Sequence, residues 1–274
     1  RFYEGEETVL TEDICKSLYA NQFIMLISSS NEKKTALARY VNEHTPIRSL
    51  EHSKRITWGI KPRNKEQLFA FDLLMDENLP VISLVGKAGS GKTLCAIAAG
   101  LEQTLNVENN GKKEQMYKRL IVSRPVQPLG KDIGFLPGTM EEKMIPWLMP
   151  VQDNLQFLMG DDKTALEMYM QKGTIEVEAL TYIRGRSISN AFIIIDEAQN
   201  LTAHEIKTIL TRVGEGTKIV FTGDVEQIDN VYVDTTTNGL TYAIEMLKEY
   251  DITGHITLRK GERSRVATLS AKIL

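Results

Sequence analysis

Cysteine is scarce in this chain of 274 residues: Cys15 and Cys95 stand far apart, without CxxC spacing and without histidine neighbours. That scarcity excludes a disulfide framework and a zinc-ribbon site, and fits a reducing compartment. Long apolar runs are missing too. Nothing approaches the roughly 20 residues that cross a bilayer, and the first residues lack the basic-then-apolar order of a secretory signal. A soluble, cytoplasmic protein with no membrane partner is expected. Basic excess is absent, since the formal net charge is −3 and the pI is near 5.9. A uniformly basic nucleic-acid coat is thereby excluded, although a local patch is not, because phosphate contacts depend on where Lys and Arg cluster. There is no internal repeat and no low-complexity tract. The chain starts at Arg1 rather than Met and stops within "RVATLSAKIL", which reads as a helix, so a piece cut from a longer protein is expected.

What is present is 42% hydrophobic residues, enough for one main domain with an appendage. Residues 1–55 carry a short strand in "NQFIMLISSS" beside acidic Glu4, Glu6, Glu7, Glu12 and Asp13, and read as a small β-rich appendage or linker. Residues 56–274 read as the main domain, and from Gly59 strands and helices alternate, the pattern of a parallel sheet covered on both faces. The strands are "VISLV" (81–85), "RLIVS" (119–123), "TIEVEA" (174–179), "FIIID" (192–196), "KIVFT" (218–222) and "HITL" (255–258). One helix starts at Lys92 with Leu94, Ile97, Leu101 and Leu105 on one face; another starts at the capping box Thr202 to Glu205 and closes at Gly214.

The chemistry concentrates in "VISLVGKAGSGKT". Gly86, Gly91, Lys92 and Thr93 satisfy GxxxxGK[ST] between a strand and a helix, the setting this motif requires. Such a loop wraps a phosphate chain with inward N–H groups from Ala88 to Thr93, at the positive end of the following helix. Gly86, Lys87, Ala88, Gly89, Ser90, Gly91, Lys92, Thr93 and Leu94 are therefore the expected ATP-binding residues, with Lys92 on the β and γ phosphates. The Thr93 hydroxyl is expected to hold Mg²⁺.

"FIIIDEAQN" sets Asp196 and Glu197 at the end of a strand built for an interior. With the phosphate loop present, Asp196 is placed to hold Mg²⁺ beside Thr93, and Glu197 to orient and activate an attacking water. "KIVFTGDVEQ" delivers Thr222, Gly223, Asp224 and Gln227 to the same carboxyl edge, where ligands of open parallel sheets sit. Gln227 is expected to sense the γ-phosphate. Upstream, Gln67 is spaced either to contact the adenine or to complete a capping box with Asn64, and both readings stay open.

Taken together, "GKAGSGKT", "SRPVQPLGKDIGFLPG", "ALTYIRGRS", "IIIDEAQN", "VFTGDVEQID" and "GERS" resemble the PhoH family of ATPases over roughly residues 56 to 274, in family order. The "DEAQ" and "GDxxQ" elements are similar to those of superfamily 1 helicases, which share a RecA-like P-loop NTPase core. Residues 1–55, including "TALARY", resemble the stretch that follows a PIN ribonuclease domain in the fused form of the family. About 55 residues cannot hold a PIN domain, so nuclease activity is expected to be absent here. The resemblance implies an ATPase, with ATP and Mg²⁺ as cofactors, that remodels or unwinds RNA (DNA left open) as a homo-oligomeric, hexameric ring. It also implies an arginine supplied by a neighbouring subunit. Arg263, in "ERS", is chosen for that role over Arg259 and Arg265. Arg124, Lys131, Arg184 and Arg186 are candidates for gripping nucleic acid or facing a neighbour, and Phe135 for base stacking or interface packing. Two other functions compete with the motor: an ATP-dependent switch or assembly module that regulates an attached nuclease, and a small-molecule kinase. The kinase is disfavoured because Glu197 beside Asp196 suits activation of water.

Overall fold

The computed structural model describes residues 7–51, 56–105, 115–126, 139–160, 163–183 and 185–261, with Phe2 and the pairs 108–109 and 112–113. A short helix α1 (Glu12–Cys15) precedes three antiparallel strands, β1 (Gln22–Ile27), β2 (Thr35–Tyr40) and β3 (Arg48–Ser49), in the order β1-β2-β3. Then come α2 (Lys65–Leu74), β4 (Val81–Gly86), α3 (Lys92–Leu105), a two-residue pair β5 (Glu108–Asn109) and β6 (Lys112–Lys113), and β7 (Arg119–Arg124). The chain continues through α4 (Met140–Met159), α5 (Lys163–Gln171), β8 (Ile175–Ala179), α6 (Leu180–Ile183) and β9 (Ala191–Ile195). It finishes with α7 (Ala203–Leu210), β10 (Lys218–Gly223), α8 (Gly239–Leu247) and β11 (Thr253–Leu258).

Six strands form one sheet in the order β11-β4-β10-β9-β7-β8, every pairing parallel. A parallel sheet buried on both faces explains why its strands read as unbroken apolar runs. In β9, Phe192 and Ile194 join the core packed by α2, α3, α4 and α5. The alternate residues Ile193 and Ile195 join a second core packed by α6, α7 and α8. Register aligns Phe221 with Ile195 and Ser123 with Ile195. Gly86, Gly223, Ile195 and Arg124 therefore end their strands along one edge, and the functional side chains gather there.

Two helix expectations change. Helix α3 is buried nearly all round, with Cys95, Ala96, Ile97, Ala98, Ala99 and Leu101 inaccessible, because its small residues let it press into the sheet instead of offering one apolar face. Helix α7 keeps its capping box, with Thr202 Oγ1 accepting from Glu205 N at 3.2 Å and Glu205 Oε2 from Thr202 N at 2.9 Å. It ends at Leu210, before Gly214, whose N–H donates to Ile188 O at 2.7 Å. The stretch "RVATLSAKIL" lies outside the described residues.

The three-stranded sheet is fastened to the core. Phe23 of β1 stacks on Phe69 of α2, with ring centroids 4.3 Å apart. Asn21 Nδ2 donates to Asp251 O and Thr253 O at the start of β11, both at 2.8 Å. Arg39, buried in β2, pairs with Asp72 at 3.0 Å and also with Asp76. Arg48 of β3 reaches the same Asp76 carboxylate.

Candidate nucleotide site

The strand β4 opens into the phosphate loop at Gly86, where a Cβ would sit 2.5 Å from Leu258 O of the neighbouring β11, so this glycine is required by strand packing as well as by any ligand. Gly91 closes the loop at φ +85°, a left-handed conformation that favours glycine, and a Cβ there would meet the Gln67 amide at 2.8 Å. Gln67 buttresses the loop. Its Nε2 donates to Ser90 O at 3.1 Å, its Oε1 accepts from Arg63 N at 2.9 Å, and its own N–H donates to Asn64 Oδ1 at 2.9 Å. Asn64 thus caps α2, and the reciprocal half of the expected capping box goes to Arg63 instead.

The loop N–H groups divide into two sets. Ala88 N donates to Asp224 Oδ2 at 3.0 Å and Ser90 N to Lys87 O at 3.1 Å, so these two do not face a ligand as expected. The N–H groups of Lys92, Thr93 and Leu94 open helix α3, where the first turn has no intrahelical partner. Lys92 is mostly buried, with no ion pair to any described residue. Ser90 Oγ is buried without a hydrogen-bond partner. A buried cation, an unpartnered hydroxyl and free helix-terminal N–H groups form an anion site that fits a phosphate chain. Lys87 and Leu94 lie at its margins, Lys87 paired with Glu226 at 2.9 Å on the surface.

Thr93 Oγ1 donates to Asp196 Oδ1 at 2.9 Å, although 103 positions separate them. Thr222 Oγ1, from the next strand, donates to the same oxygen at 2.6 Å, and Asp196 N is held by Ser123 O at 2.8 Å. A threonine hydroxyl and one carboxylate beside a phosphate cradle are the oxygen set that fits Mg²⁺, which keeps most of its shell as water and phosphate.

Glu197 follows in the left-handed conformation, φ 55° and ψ 36°, a strain that surroundings must over-determine. Arg124 Nη2 donates to its Oε1 at 3.1 Å, and Gln199 Nε2 to its Oε2. Gln199, to which sequence reasoning gave no role, is the hub of this edge: it also donates to Gln227 O at 2.9 Å and accepts from Asp224 N at 3.1 Å. Its amide two residues after the paired acids was the available signal. Gln227 joins through its main chain, and its side chain is exposed.

The proposed nucleic-acid contacts scatter. Arg124 belongs to the Glu197 cluster. Arg186 is engaged by Glu176 and Glu178 at 3.0 to 3.3 Å on the edge strand β8, four strands from β4, on the order of 19 Å. Lys131, Phe135, Arg184, Arg263 and Arg265 lie outside the described residues, while Arg259 N donates to Glu66 Oε2 at 2.7 Å. A surface that the sequence did not announce is the loop after Asp224. Val231 and Tyr232 are each 88% exposed, although Asn200 fixes the loop through Asp229 N and Asn230 N at 2.8 and 3.2 Å. The Thr236 hydroxyl and two backbone N–H groups on Asp234 hold that carboxyl down to about 2.

Fold and site together define a P-loop NTPase of RecA-like architecture. The chain belongs to the PhoH-like protein family, whose model matches residues 59–273. It is similar to "Protein PhoH2" of Bacillus subtilis (strain 168), 48% identical over 276 residues, covering 100% of this chain and 61% of that protein. It is also similar to "Protein PhoH2" of Mycolicibacterium smegmatis, 39% identical over 226 residues, covering 82% of this chain and 49% of the relative. The chain therefore spans half to three fifths of the length of these curated relatives. A solved structure described as "The structure of PRRSV helicase" superposes on 86% of this chain and 45% of that one, at a TM-score of 0.30 and 12% identity, too loosely to bear on function. Among the described residues no helix is long and apolar enough to cross a membrane.

Proposed function

We propose that this chain hydrolyses ATP with Mg²⁺ and couples hydrolysis to remodelling single-stranded or structured RNA as a homo-oligomeric ring. The observation that carries the hydrolysis reading is the Thr93–Asp196 contact at 2.9 Å, beside the buried Lys92. Lys92 and the first N–H groups of α3 bind the phosphates, while Thr93 and Asp196 hold the metal. When bound, Mg²⁺ would supply positive charge that offsets the charge developing on the transferring phosphoryl. Glu197 takes the proton of the attacking water, which favours hydrolysis over transfer to a small molecule. Gln67 backs the phosphate loop and borders the base. Gln199 links Glu197 to the main chain of Gln227, a path from the γ-phosphate to the exposed loop.

Tyr232 supports the nucleic-acid part of the reading: it is a solvent-facing aromatic, 88% exposed, in the loop that Asn200 ties down, and an exposed ring of this kind is available for base stacking. Arg263 of a neighbouring subunit is the arginine we assign to the transferring phosphoryl, a contribution of about 10³ to 10⁵ in rate. An attached PIN ribonuclease domain is the partner we assign to the full-length protein, since the relatives are longer than this chain. The test is the ATPase rate with and without single-stranded RNA, run beside a mass measurement in solution. Stimulation by RNA in an oligomer upholds the motor. Hydrolysis without stimulation or strand separation replaces it with a nucleotide-gated switch, and normal turnover in Arg263→Ala removes that arginine from the site.

A further inference from the structure

Glu197 is only partly exposed, and each of its carboxylate oxygens has a donor. Arg124 Nη2 meets its Oε1 at 3.1 Å, and the Gln199 amide meets its Oε2. The same guanidinium reaches in a second direction, Nη1 donating to Trp147 O of helix α4 at 3.3 Å. One side chain at the end of β7 thus links the carboxylate to helix α4. A general base must aim a lone pair at its water; here one donor on each carboxylate oxygen fixes the direction of the lone pairs that remain, above a strained backbone. The Arg124 side chain is 19% exposed and that of Glu197 28%, so the pair is open to solvent on one side and an anion can approach it. Guanidinium binds phosphate in the same forked geometry as carboxylate, which makes a nucleic-acid phosphate a direct competitor for Glu197.

Resting on the reading of Glu197 as the base, we propose that Arg124 is a positioning residue that restrains Glu197 in the nucleic-acid-free protein and releases it when a backbone phosphate of single-stranded RNA takes the guanidinium. The RNA-dependence of turnover then originates in this pair. Arg124→Ala frees Glu197 without ligand, and Arg124→Lys, which cannot span Glu197 and Trp147 together, falls between the two states.

The experiment measures ATP turnover of the whole chain with and without an oligouridylate 20-mer, for wild type, Arg124→Ala, Arg124→Lys, Glu197→Gln and the Arg124→Ala, Glu197→Gln double variant. KM for ATP and the thermal midpoint are followed in parallel. The expected result is a basal kcat raised about five- to tenfold in Arg124→Ala, with KM within about twofold and a further RNA effect under about twofold. The double variant is then as slow as Glu197→Gln alone. A basal rate that falls in both Arg124 variants while the RNA stimulation factor stays at its wild-type value overturns the proposal, as does a wild type that RNA does not stimulate. Undiminished turnover in Glu197→Gln is a different failure, that of the underlying assignment of the base. Should Arg124→Ala melt early, Arg124→Lys alone decides through its stimulation factor, which a purely structural role leaves unchanged.

Discussion

Two clusters of buried charge sit at opposite ends of one parallel sheet. At the amino end, Arg39, Arg48, Asp72 and Asp76 pair across the junction between the three-stranded sheet and α2. Lys218, fully buried at the first residue of β10, donates to Leu74 O at 2.8 Å and Asp76 O at 2.6 Å. At the carboxyl end Lys92 and Asp196 are buried beside the partly exposed Glu197, yet Ser90 Oγ, the Lys92 ammonium and the first turn of α3 keep hydrogen-bonding capacity in reserve. Buried charge is therefore no mark of function on its own. At the amino end each charged group is paired within the chain and serves stability, with only Arg39 Nε left unpartnered, whereas at the carboxyl end a cation, a hydroxyl and helix-terminal N–H groups remain available together to one ligand.

The sharpest way to break that comparison is to alter one residue at each end. Lys92→Ala is expected to lower ATP turnover by about 10² to 10³-fold while leaving the urea midpoint within experimental spread, as measured by a steady-state phosphate-release assay. Asp76→Ala is expected to do the reverse. It removes the carboxylate that Arg39 and Arg48 share, leaves buried Arg39 with Asp72 alone, costs about 3 kcal/mol of stability and leaves turnover per folded molecule within about twofold. A loss of activity without a loss of stability in Asp76→Ala would erase the distinction.

The legibility of the two ends in the sequence follows the same division. All six strands of the main sheet were readable, because a sheet covered on both faces demands apolar runs, and the phosphate loop was readable because its spacing is a backbone requirement. The three-stranded sheet showed only one of its strands: β2 pairs along its length with β1, but it and β3 carry Arg39 and Arg48, whose acid partners lie more than 25 positions away. Partnerships of that kind leave no local pattern. The same limit hid the roles of Gln199 and Arg124, whose identities are unremarkable until the fold sets them against Glu197. It likewise hid the pairing of Arg186 with Glu176 and Glu178, which depends on the chain turning back onto β8.

A finer contrast lies in pH. Burial pushes Lys218 down to about 7 from 10.5, and a neutral amine has two N–H groups for the two carbonyls it meets. Between those values the unfolded chain binds a proton that the folded chain does not, so stability rises with pH, by about 1.4 kcal/mol per unit from pH 7 to 9. Lys218→Met removes that contribution, and urea midpoints at pH 7, 8 and 9 should flatten relative to wild type. An equal slope in both proteins would return Lys218 to an ordinary charged state.

The central claim, that the phosphate loop and the paired acids act on one nucleotide, is tested most directly by Glu197→Gln in a single-turnover assay with MgATP, alongside titration of a fluorescent ATP analogue. The account predicts binding within about threefold of wild type and a hydrolysis step slowed by about 10² to 10⁴-fold. Hydrolysis at the wild-type rate with binding intact would contradict it.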